Sequence, residues 1–156
     1  MRLTNYSDYA LRVLIYLSIQ DGRLATIREI SEQYDISRNH LMKLVQDLGK
    51  HGFAETVRGK NGGLRIGRDP ATISVGEVVR AMEKDMAIVE CFEPDGDFNC
   101  QIVSACVLAG IMRQAHNAFL EVLDGYSIKD LVLPKPQLIK AFPTDVWSGG
   151  SATTVN

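Results

Sequence analysis

The sequence is poor in cysteine and has no long apolar run. Its 156 residues include three cysteines, Cys91, Cys100 and Cys106, and no Cys-x-x-Cys pair. Because any disulfide scheme would leave one thiol unpaired, we expect metal or redox chemistry instead. The apolar stretch near the N-terminus is interrupted by Arg12, which argues against a signal peptide or a membrane-spanning helix. We therefore expect a cytoplasmic protein that does not bind membranes.

An overall positive charge, which is common in nucleic-acid-binding proteins, is also missing, since the net charge is −2. The charge is unevenly distributed, however. Residues 1–68 have 11 basic and 7 acidic side chains, whereas residues 69–156 have 6 and 12. Residues 36–68 alone contain seven basic and two acidic side chains. This local excess is typical of a surface that binds DNA phosphates, and a solvated charged face is the alternative.

The first predicted helix is apolar on two sides. Apolar residues recur every three or four positions between Tyr6 and Leu17, and Leu11, Ile15 and Ile19 form a second stripe. A helix that is apolar on two sides must be covered on both. We therefore expect this helix to pack on its own domain and on a further element, for which a partner subunit is a candidate.

A helix-turn-helix is predicted between residues 26 and 52. Thr26 followed by Glu29 forms a capping-box start for one short helix, and Ser37 can cap the next. The second helix has an apolar inner stripe and a polar, basic free face. These features are typical of a reading helix that enters the major groove of DNA. Its candidate DNA-contacting residues are Ser37, Arg38, Asn39, His40 and Lys43.

A wing is predicted directly after this helix. Residues 53–57 and 64–66 have the composition of two short strands, and they flank a Gly-rich turn. The candidate contacts to the minor groove or to DNA phosphates are Arg58, Lys60 and Asn61 at the tip of the turn.

The C-terminal half is predicted to contain a short capped helix, a loop and a long helix. Ser74 with Glu77 begins the short helix, and Pro94, Gly96 and several acidic residues mark the loop. The long helix is predicted from Ser104 to about Asp124, with Cys106 just inside it. Its apolar surface exceeds what a small domain needs to cover, so we expect it to form a dimer contact. A short helical turn is predicted over 127–132, and the region around Pro134 and Pro136 is expected to be poorly ordered.

The expected fold is therefore mainly α with a small β-wing. It comprises a winged helix-turn-helix DNA-binding domain plus a long C-terminal dimerisation helix. The expected divisions are a DNA-binding domain over 1–68, a linking helix and cysteine-bearing loop over 69–103, the dimerisation helix with a C-terminal segment over 104–142, and a disordered tail over 143–156.

Two segments carry a resemblance to known regulators. Residues 37–43 are SRNHLMK and residues 58–67 are RGKNGGLRIG, and three cysteines follow around the start of a long helix. In these features the sequence resembles the NsrR family of nitric-oxide-responsive repressors. That family belongs, with the IscR proteins, to a superfamily of winged-helix iron-sulfur regulators. The resemblance extends over about residues 1–140.

The resemblance implies a homodimer with crossing long helices that binds an inverted-repeat operator in double-stranded DNA. It also implies an iron-sulfur cluster in each subunit, held by Cys91, Cys100 and Cys106. A 4Fe-4S cluster is preferred to 2Fe-2S, although both fit three thiolates and an oxygen ligand. In NsrR-like proteins the fourth ligand is a carboxylate near the N-terminus of the partner subunit, and Asp8 matches it here. IscR-like proteins use a histidine three residues after the third cysteine, where this chain has Ala109.

One departure from the family pattern leaves an alternative for the fourth ligand. Eight residues separate Cys91 from Cys100, a longer gap than the family pattern leads us to expect. The acidic loop between these cysteines is therefore a second possible source of an oxygen ligand. In that case Asp8 would be a first-turn acid favoured by the helix dipole.

The resemblance further implies that nitric oxide is the signal. A carboxylate is a poorer match for cluster iron than a thiolate, so the iron that it holds is expected to react first. Nitrosylation of the cluster would then free the cysteine loop and the Asp8 tie between subunits, and the repressor would release its DNA.

Three other functions remain open from the residues alone. A winged-helix regulator can instead sense redox or iron-sulfur status through another type of cluster, or its cysteines can bind zinc or react directly as thiols. Structural zinc, however, usually takes four Cys or His ligands. A redox enzyme is disfavoured because the sequence has no nucleotide fingerprint and no second cofactor motif. A cluster-free regulator or adaptor is the third possibility.

Overall fold

The computed structural model describes residues 2–93 and 100–142, and in them it is mainly helical with one small sheet. The predicted tail over 143–156 and the loop residues Pro94, Asp95, Gly96 and Asp97 lie outside the described residues. The elements are α1 (Asn5–Ser18), α2 (Ile27–Tyr34), α3 (Arg38–Lys50), β1 (Ala54–Val57), β2 (Gly63–Ile66), α4 (Val75–Met82), α5 (Val107–Asp124), α6 (Ile128–Leu131) and α7 (Lys135–Ala141).

Helix α1 lies in the middle of the hydrophobic core. Thr4 caps its N-terminus, and Ala10, Val13 and Leu14 are fully buried. The same chain covers other parts of this helix: α6 packs against it, and the Phe142 ring contacts Tyr16 edge-on at 5.2 Å. Ile19 is buried, whereas Leu11 and Ile15 of the second apolar stripe are half-buried. The stripe is thus only partly covered within the described residues of one subunit.

The predicted helix-turn-helix is confirmed by its caps. The Thr26 side chain and Glu29 form a capping box at the start of α2, and Asp35 ends that helix with a left-handed φ of 53°. Ser37 accepts a 3.3 Å hydrogen bond from the His40 N–H and thereby caps α3. The inner face of α3 is buried as predicted, through Leu41, Leu44, Val45 and Leu48.

The wing is a two-stranded antiparallel sheet in which Ala54 pairs with Ile66 and Val57 pairs with Gly63. Its turn requires glycine at position 62, because a Cβ there would lie 2.2 Å from the Val57 carbonyl oxygen. An isolated bridge also joins Leu64 of β2 to Ala25, with N···O distances of 2.7 and 2.9 Å. This bridge fixes the base of the wing to the segment that leads into α2.

The C-terminal elements pack back on the DNA-binding half. Ser74 caps α4 as predicted, by accepting a hydrogen bond from the Glu77 N–H. Arg80 of α4 forms an ion pair with Asp124 at the end of α5, and Gly76 leaves the space into which the Asp124 carboxylate fits. Residues of α4 and α6 share one core with α1 and α3.

Two predictions about the C-terminal half were wrong. Helix α5 begins at Val107 and not at Ser104, because residues 103–105 form a separate 3₁₀ turn. Cys106 therefore stands before the helix and not inside it. The region around Pro134 and Pro136 forms helix α7, and prolines are tolerated at a helix start because the first-turn N–H groups have no intrahelical partner anyway.

Candidate DNA-binding surface and cysteine cavity

The reading helix α3 exposes most of the residues proposed to contact DNA. Arg38, Asn39 and Lys43 are exposed, and Arg38 lies 3.7 Å from Glu32 of α2 in a surface ion pair. Such exposed pairs contribute little to stability, so Arg38 can exchange this partner for a phosphate or a base. Ser37 is also exposed, although its hydroxyl already caps the helix.

His40 has a second set of contacts that the sequence did not predict. Its ring stacks on Tyr6 with a centroid distance of 5.8 Å, and it meets the edge of Tyr9 at 5.5 Å. Both tyrosines belong to the first turns of α1. The orientation of the His40 side chain is therefore tied to the start of α1, which makes it a positioning residue as well as a candidate DNA contact.

Tyr6 provides another link between the same two helices. Its hydroxyl donates a 2.6 Å hydrogen bond to Asp47 of α3, and Asp47 also accepts one from Lys50 at 2.7 Å. The hydrogen bonds from Lys50 and Tyr6 lower the pKa of Asp47 below its usual value. Burial and the bond to Asp47 raise the pKa of the Tyr6 hydroxyl, which therefore stays a donor at neutral pH.

The wing forms a second basic element. Arg58, Lys60 and Asn61 are exposed at its tip, and none of them makes an ion pair or side-chain hydrogen bond within residues 2–93 and 100–142. In contrast, Arg65 on the strand pairs with Glu55 at 2.9 Å. The tip residues are therefore free to contact an external anion.

The three cysteines line a single cavity of about 610 Å³. Cys91 lies in a 3₁₀ turn, Cys100 follows the acidic loop, and Cys106 directly precedes α5. All three are free thiols of intermediate exposure. The remaining wall is mostly apolar, and on one side the Arg113 guanidinium lies over the Phe92 ring at 4.8 Å. The apolar lining residues include Ile102, Val103, Leu108, Ala109 and Met112.

Three cysteine thiols around one cavity are the type of donor that an iron-sulfur cluster takes. Within the described residues no three Cys, His, Asp or Glu side chains are close enough to hold one ion. A cluster of several irons spreads its thiolate ligands further apart than one ion does, and it takes cysteine as its usual ligand. Ala109 also lines the cavity, so the position at which the IscR-like pattern has histidine offers no ligand here.

Asp8 is not brought to this cavity within one subunit. It lies in the first turn of α1, where its carboxylate is about half exposed and pairs with Arg12 at 2.8 Å. In the part of the chain that the structure describes, it does not line the space around the cysteines. An approach of Asp8 to the cysteines would therefore have to come from a second subunit.

Glu83 joins the segment after α4 to the start of α1, a contact that the sequence analysis missed. It follows α4, and its Oε1 atom accepts hydrogen bonds from the Thr4 N–H at 2.8 Å, the Thr4 hydroxyl at 3.0 Å and the Ser7 hydroxyl at 2.6 Å. The segment that leads to Cys91 is thereby attached to the start of α1. The sequence showed no signal for this contact, because the partners are 76 and 79 residues apart.

A search of the described residues for a helix of membrane-spanning length and hydropathy finds none.

A capped reading helix, an exposed basic wing and a shared core together define a winged-helix transcription regulator that binds DNA. The sequence pattern of the Rrf2 family, described as an iron-dependent transcriptional regulator, matches residues 3–134, and the chain belongs to this family.

Curated relatives support the same class. The chain is 48% identical over 141 residues to the HTH-type transcriptional regulator NsrR of Bacillus subtilis, which covers 90% of this chain and 96% of that protein. It is 44% identical over 139 residues to the protein of the same name from Geobacillus kaustophilus, covering 88% and 94%. These relatives are named as regulators, and the chain is therefore not classed as an enzyme.

Solved structures have the same fold. CymR, the global cysteine regulator of B. subtilis, is similar with a TM-score of 0.67 at 25% identity, over 84% of this chain and 95% of that chain. The IscR of T. potens gives a TM-score of 0.69 at 21% identity, over 88% and 90%. The second likeness shows the fold alone. The predicted winged-helix architecture is thus confirmed.

Proposed function

We propose that this protein is a homodimeric repressor that binds an inverted-repeat operator and releases it on exposure to nitric oxide. The three cysteines would hold an iron-sulfur cluster, preferably 4Fe-4S, together with Asp8 of the partner subunit. The observation that carries the proposal is that Cys91, Cys100 and Cys106 line one apolar cavity although they are spread over 16 positions of the chain. The high identity to proteins named NsrR supports the choice of signal.

When bound, the cluster would supply iron that reacts with nitric oxide, and the chain itself would transmit the result. As ligands of this cluster, Cys91, Cys100 and Cys106 would hold together the segment between α4 and α5, on which Cys91 and Cys100 lie. Glu83 at the beginning of that segment holds Thr4 and Ser7 at the start of α1. Tyr6 and Tyr9 in the same helix contact His40 and Asp47 of the reading helix. Continuous contacts therefore lead from the cysteine segment to α3.

Helix α5 supports the proposed homodimer. It has no fully buried residue, and Val107, Ile111 and Val122 are 75%, 56% and 62% exposed. These three residues lie on one face, because their spacings of 4 and 11 are close to whole helical turns. A large apolar face of this kind is typical of a subunit contact. A C2 dimer would place two reading helices so that they can bind two half-sites about one or two helical turns apart, roughly 10 bp per turn.

The proposed function is tested by an anaerobic purification with a visible spectrum, an iron and sulfide assay, and a titration with nitric oxide. DNA binding is measured in parallel at fixed salt. We expect a coloured protein that loses its absorbance and its operator affinity together. Replacing Cys91, Cys100 or Cys106 with serine should abolish the colour, whereas Ser104→Ala in the same segment should not. A colourless, iron-free protein that binds operator regardless of nitric oxide would contradict the proposal.

The role of Asp8 can be separated from its ion pair. Asp8→Asn removes a candidate ligand and also the contact with Arg12, whereas Arg12→Gln removes only the contact. If Asp8 is the fourth ligand, Asp8→Asn should change the spectrum and Arg12→Gln should not. If both variants keep the wild-type spectrum, the ligand must come from elsewhere, and the acidic loop is the next candidate.

A thiol-based regulator is the second candidate function. It is supported by the intermediate exposure of all three free cysteines. In this case the anaerobic protein would be colourless and iron-free, and oxidants rather than nitric oxide would change its DNA affinity. Zinc analysis of the same sample tests the related hypothesis that the cysteines bind zinc.

A further inference from the structure

A groove of about 960 Å³ runs along one flank of the reading helix. One wall is formed by α3, through His40, Lys43 and Lys50, and the other by residues 81–85, which comprise the end of α4 and the segment that follows it. The second wall contains Lys84, which is exposed and belongs to neither the helix-turn-helix nor the wing.

The charges in this groove leave two lysines available for an external anion. Each of the three acidic residues in the lining already accepts an internal hydrogen bond: Glu83 from Thr4 and Ser7, Asp47 from Tyr6 and Lys50, and Asp85 from the Ala87 N–H. In contrast, Lys43 and Lys84 make no salt bridge or side-chain hydrogen bond within residues 2–93 and 100–142. Both ammonium groups can therefore exchange solvent for a phosphate without breaking a salt bridge or a hydrogen bond, although Lys43 is also attracted by the charge of Asp47.

The dimensions of DNA indicate which phosphate this would be. The major groove is about 12 Å wide and a helix with its side chains is about 10–12 Å thick, so the backbone phosphates lie against the flanks of a reading helix. The groove beside α3 is thus at the position where a backbone phosphate arrives when α3 enters the major groove.

We propose that Lys84 binds a phosphate of the DNA backbone in this groove, opposite Lys43, and that the segment after α4 is a third DNA-contacting element besides α3 and the wing. This proposal extends the DNA binding of the family and does not depend on a cluster or on nitric oxide. Because Lys84 precedes Cys91 by seven residues, it places a DNA contact on the same segment as the first cysteine.

The test compares Lys84→Gln with wild type on an operator duplex and on an unrelated duplex, at several salt concentrations. We expect affinity to fall about three- to tenfold on both duplexes, because phosphate contacts carry no sequence information. The slope of log K against log salt should become shallower by about 0.9 for each lost contact, and therefore by about 1.8 for a dimer. The matched control is Lys140→Gln on α7, which should change neither quantity.

Three results would overturn the proposal. One is an unchanged affinity and slope in Lys84→Gln. Another is a loss confined to the operator, which would indicate a base contact. The third concerns inorganic phosphate at matched ionic strength. If phosphate raises the urea midpoint of wild type but not that of Lys84→Gln, the groove is a site for a free anion. Lys84→Arg should restore binding, and equal urea midpoints for all variants exclude a folding defect. If the nitric oxide test fails but Lys84→Gln lowers the DNA affinity and the salt slope as expected, the phosphate contact of Lys84 is supported independently of the proposed function.

Discussion

The hydroxyl of Tyr6 donates a 2.6 Å hydrogen bond to the carboxylate of Asp47, and thereby joins the first turn of α1 to the last part of the reading helix. Asp47 also pairs with Lys50, and Tyr6 stacks on His40, which lies about two helical turns before Asp47 in α3. One residue of α1 therefore contacts two turns of the helix that is proposed to read DNA. Any shift at the start of α1 must change the position of α3 or break these contacts.

Tyr6→Phe tests this connection, because it removes the hydroxyl but keeps the ring that stacks on His40. We expect the free energy of unfolding to fall by about 1 kcal/mol, which is the usual contribution of one hydrogen bond, and the operator affinity to fall severalfold. Urea unfolding and DNA titration measure the two effects. Tyr126→Phe is the matched control, since Tyr126 is 56% exposed and its hydroxyl makes no hydrogen bond to the described residues. Equal operator affinities for both variants would refute a positioning role for Tyr6.

Glu83→Ala should uncouple the cysteine segment from α1. It removes the acceptor for Thr4 and Ser7, whereas Glu83→Gln retains one side-chain oxygen and should be the milder variant. We expect both variants to keep any cluster absorbance. Nitric oxide should change their DNA affinity less than it changes that of wild type, and this reduction should be larger in Glu83→Ala than in Glu83→Gln. Titration of DNA binding with and without nitric oxide measures this. A wild-type response to nitric oxide in Glu83→Ala would show that the signal reaches α3 by another route. Glu121→Ala on α5 is the control for the loss of one acidic side chain.

Acid should destabilise the protein partly through Glu29. Burial raises the pKa of this carboxyl, but hydrogen bonds from Arg23 and Tyr16 outweigh burial and hold the pKa below the usual value of 4.5. A carboxyl with a lowered pKa in the folded state stabilises the protein at neutral pH, and this contribution is lost as the pH falls below about 4.5 and through the folded-state pKa.

The pH profile of unfolding in urea measures this effect. Glu29→Gln should lower stability at pH 7 and flatten the acid limb of the curve, so that mutant and wild type converge at low pH. The control is Glu55→Gln on the exposed face of β1, which removes one charge without touching the partly buried network of Glu29, Arg23 and Tyr16. Parallel curves for wild type and Glu29→Gln down to the lowest pH would show that Glu29 does not cause the acid sensitivity.

Local patterns allowed much of the fold to be predicted. The Thr26 capping box and the Ser37 cap act within four residues, so sequence alone located α2 and α3 to within a residue or two. The contacts that the sequence did not predict are long-range. Glu83 meets Thr4 across 79 positions, and Tyr6 meets Asp47 across 41. Neither pair has a spacing that periodicity could detect, and Tyr6 was expected only to contribute to an apolar stripe.

The candidate site was predictable to a similar extent. The three cysteines were identified from their number and spacing, and the structure adds that they line one cavity. The proposed contact of Asp8 with the cysteines of a partner subunit is a contact between two chains. The described residues belong to one chain, so they do not include it. The groove beside Lys84 depends on how the segment after α4 returns to α3, and no local pattern determines that path.

Gly62→Ala should damage the wing without affecting the core. A Cβ at this position would lie 2.2 Å from the Val57 carbonyl oxygen, so the turn that carries Arg58, Lys60 and Asn61 must change shape. We expect a clear loss of operator affinity and only a modest loss of stability. Gly49→Ala in α3 is the control, because its Cβ would meet the Ala54 carbonyl oxygen at an ordinary 3.8 Å and alanine favours helix. Unchanged operator affinity in Gly62→Ala would argue against a DNA contact by the wing.

The exposed face of α5 leads to the last prediction, which concerns assembly. If Val107, Ile111 and Val122 form the subunit contact, a charge at the middle of this face must be buried without a partner when two chains associate. Ile111→Glu should therefore shift the protein from dimer to monomer at micromolar concentration, as measured by sedimentation. Operator binding should weaken strongly, because each monomer then binds only one half-site.

Asn117→Glu is the matched control for this experiment, since it adds the same charge to the same helix away from that face. It should leave both the dimer and the operator affinity close to wild type. If Ile111→Glu remains a dimer, the subunit contact must lie elsewhere, and the half-buried Leu11 and Ile15 of α1 become the first residues to examine. If it becomes a monomer that still binds the full operator as tightly as wild type, the inverted-repeat model of recognition is wrong even though the dimer contact is right.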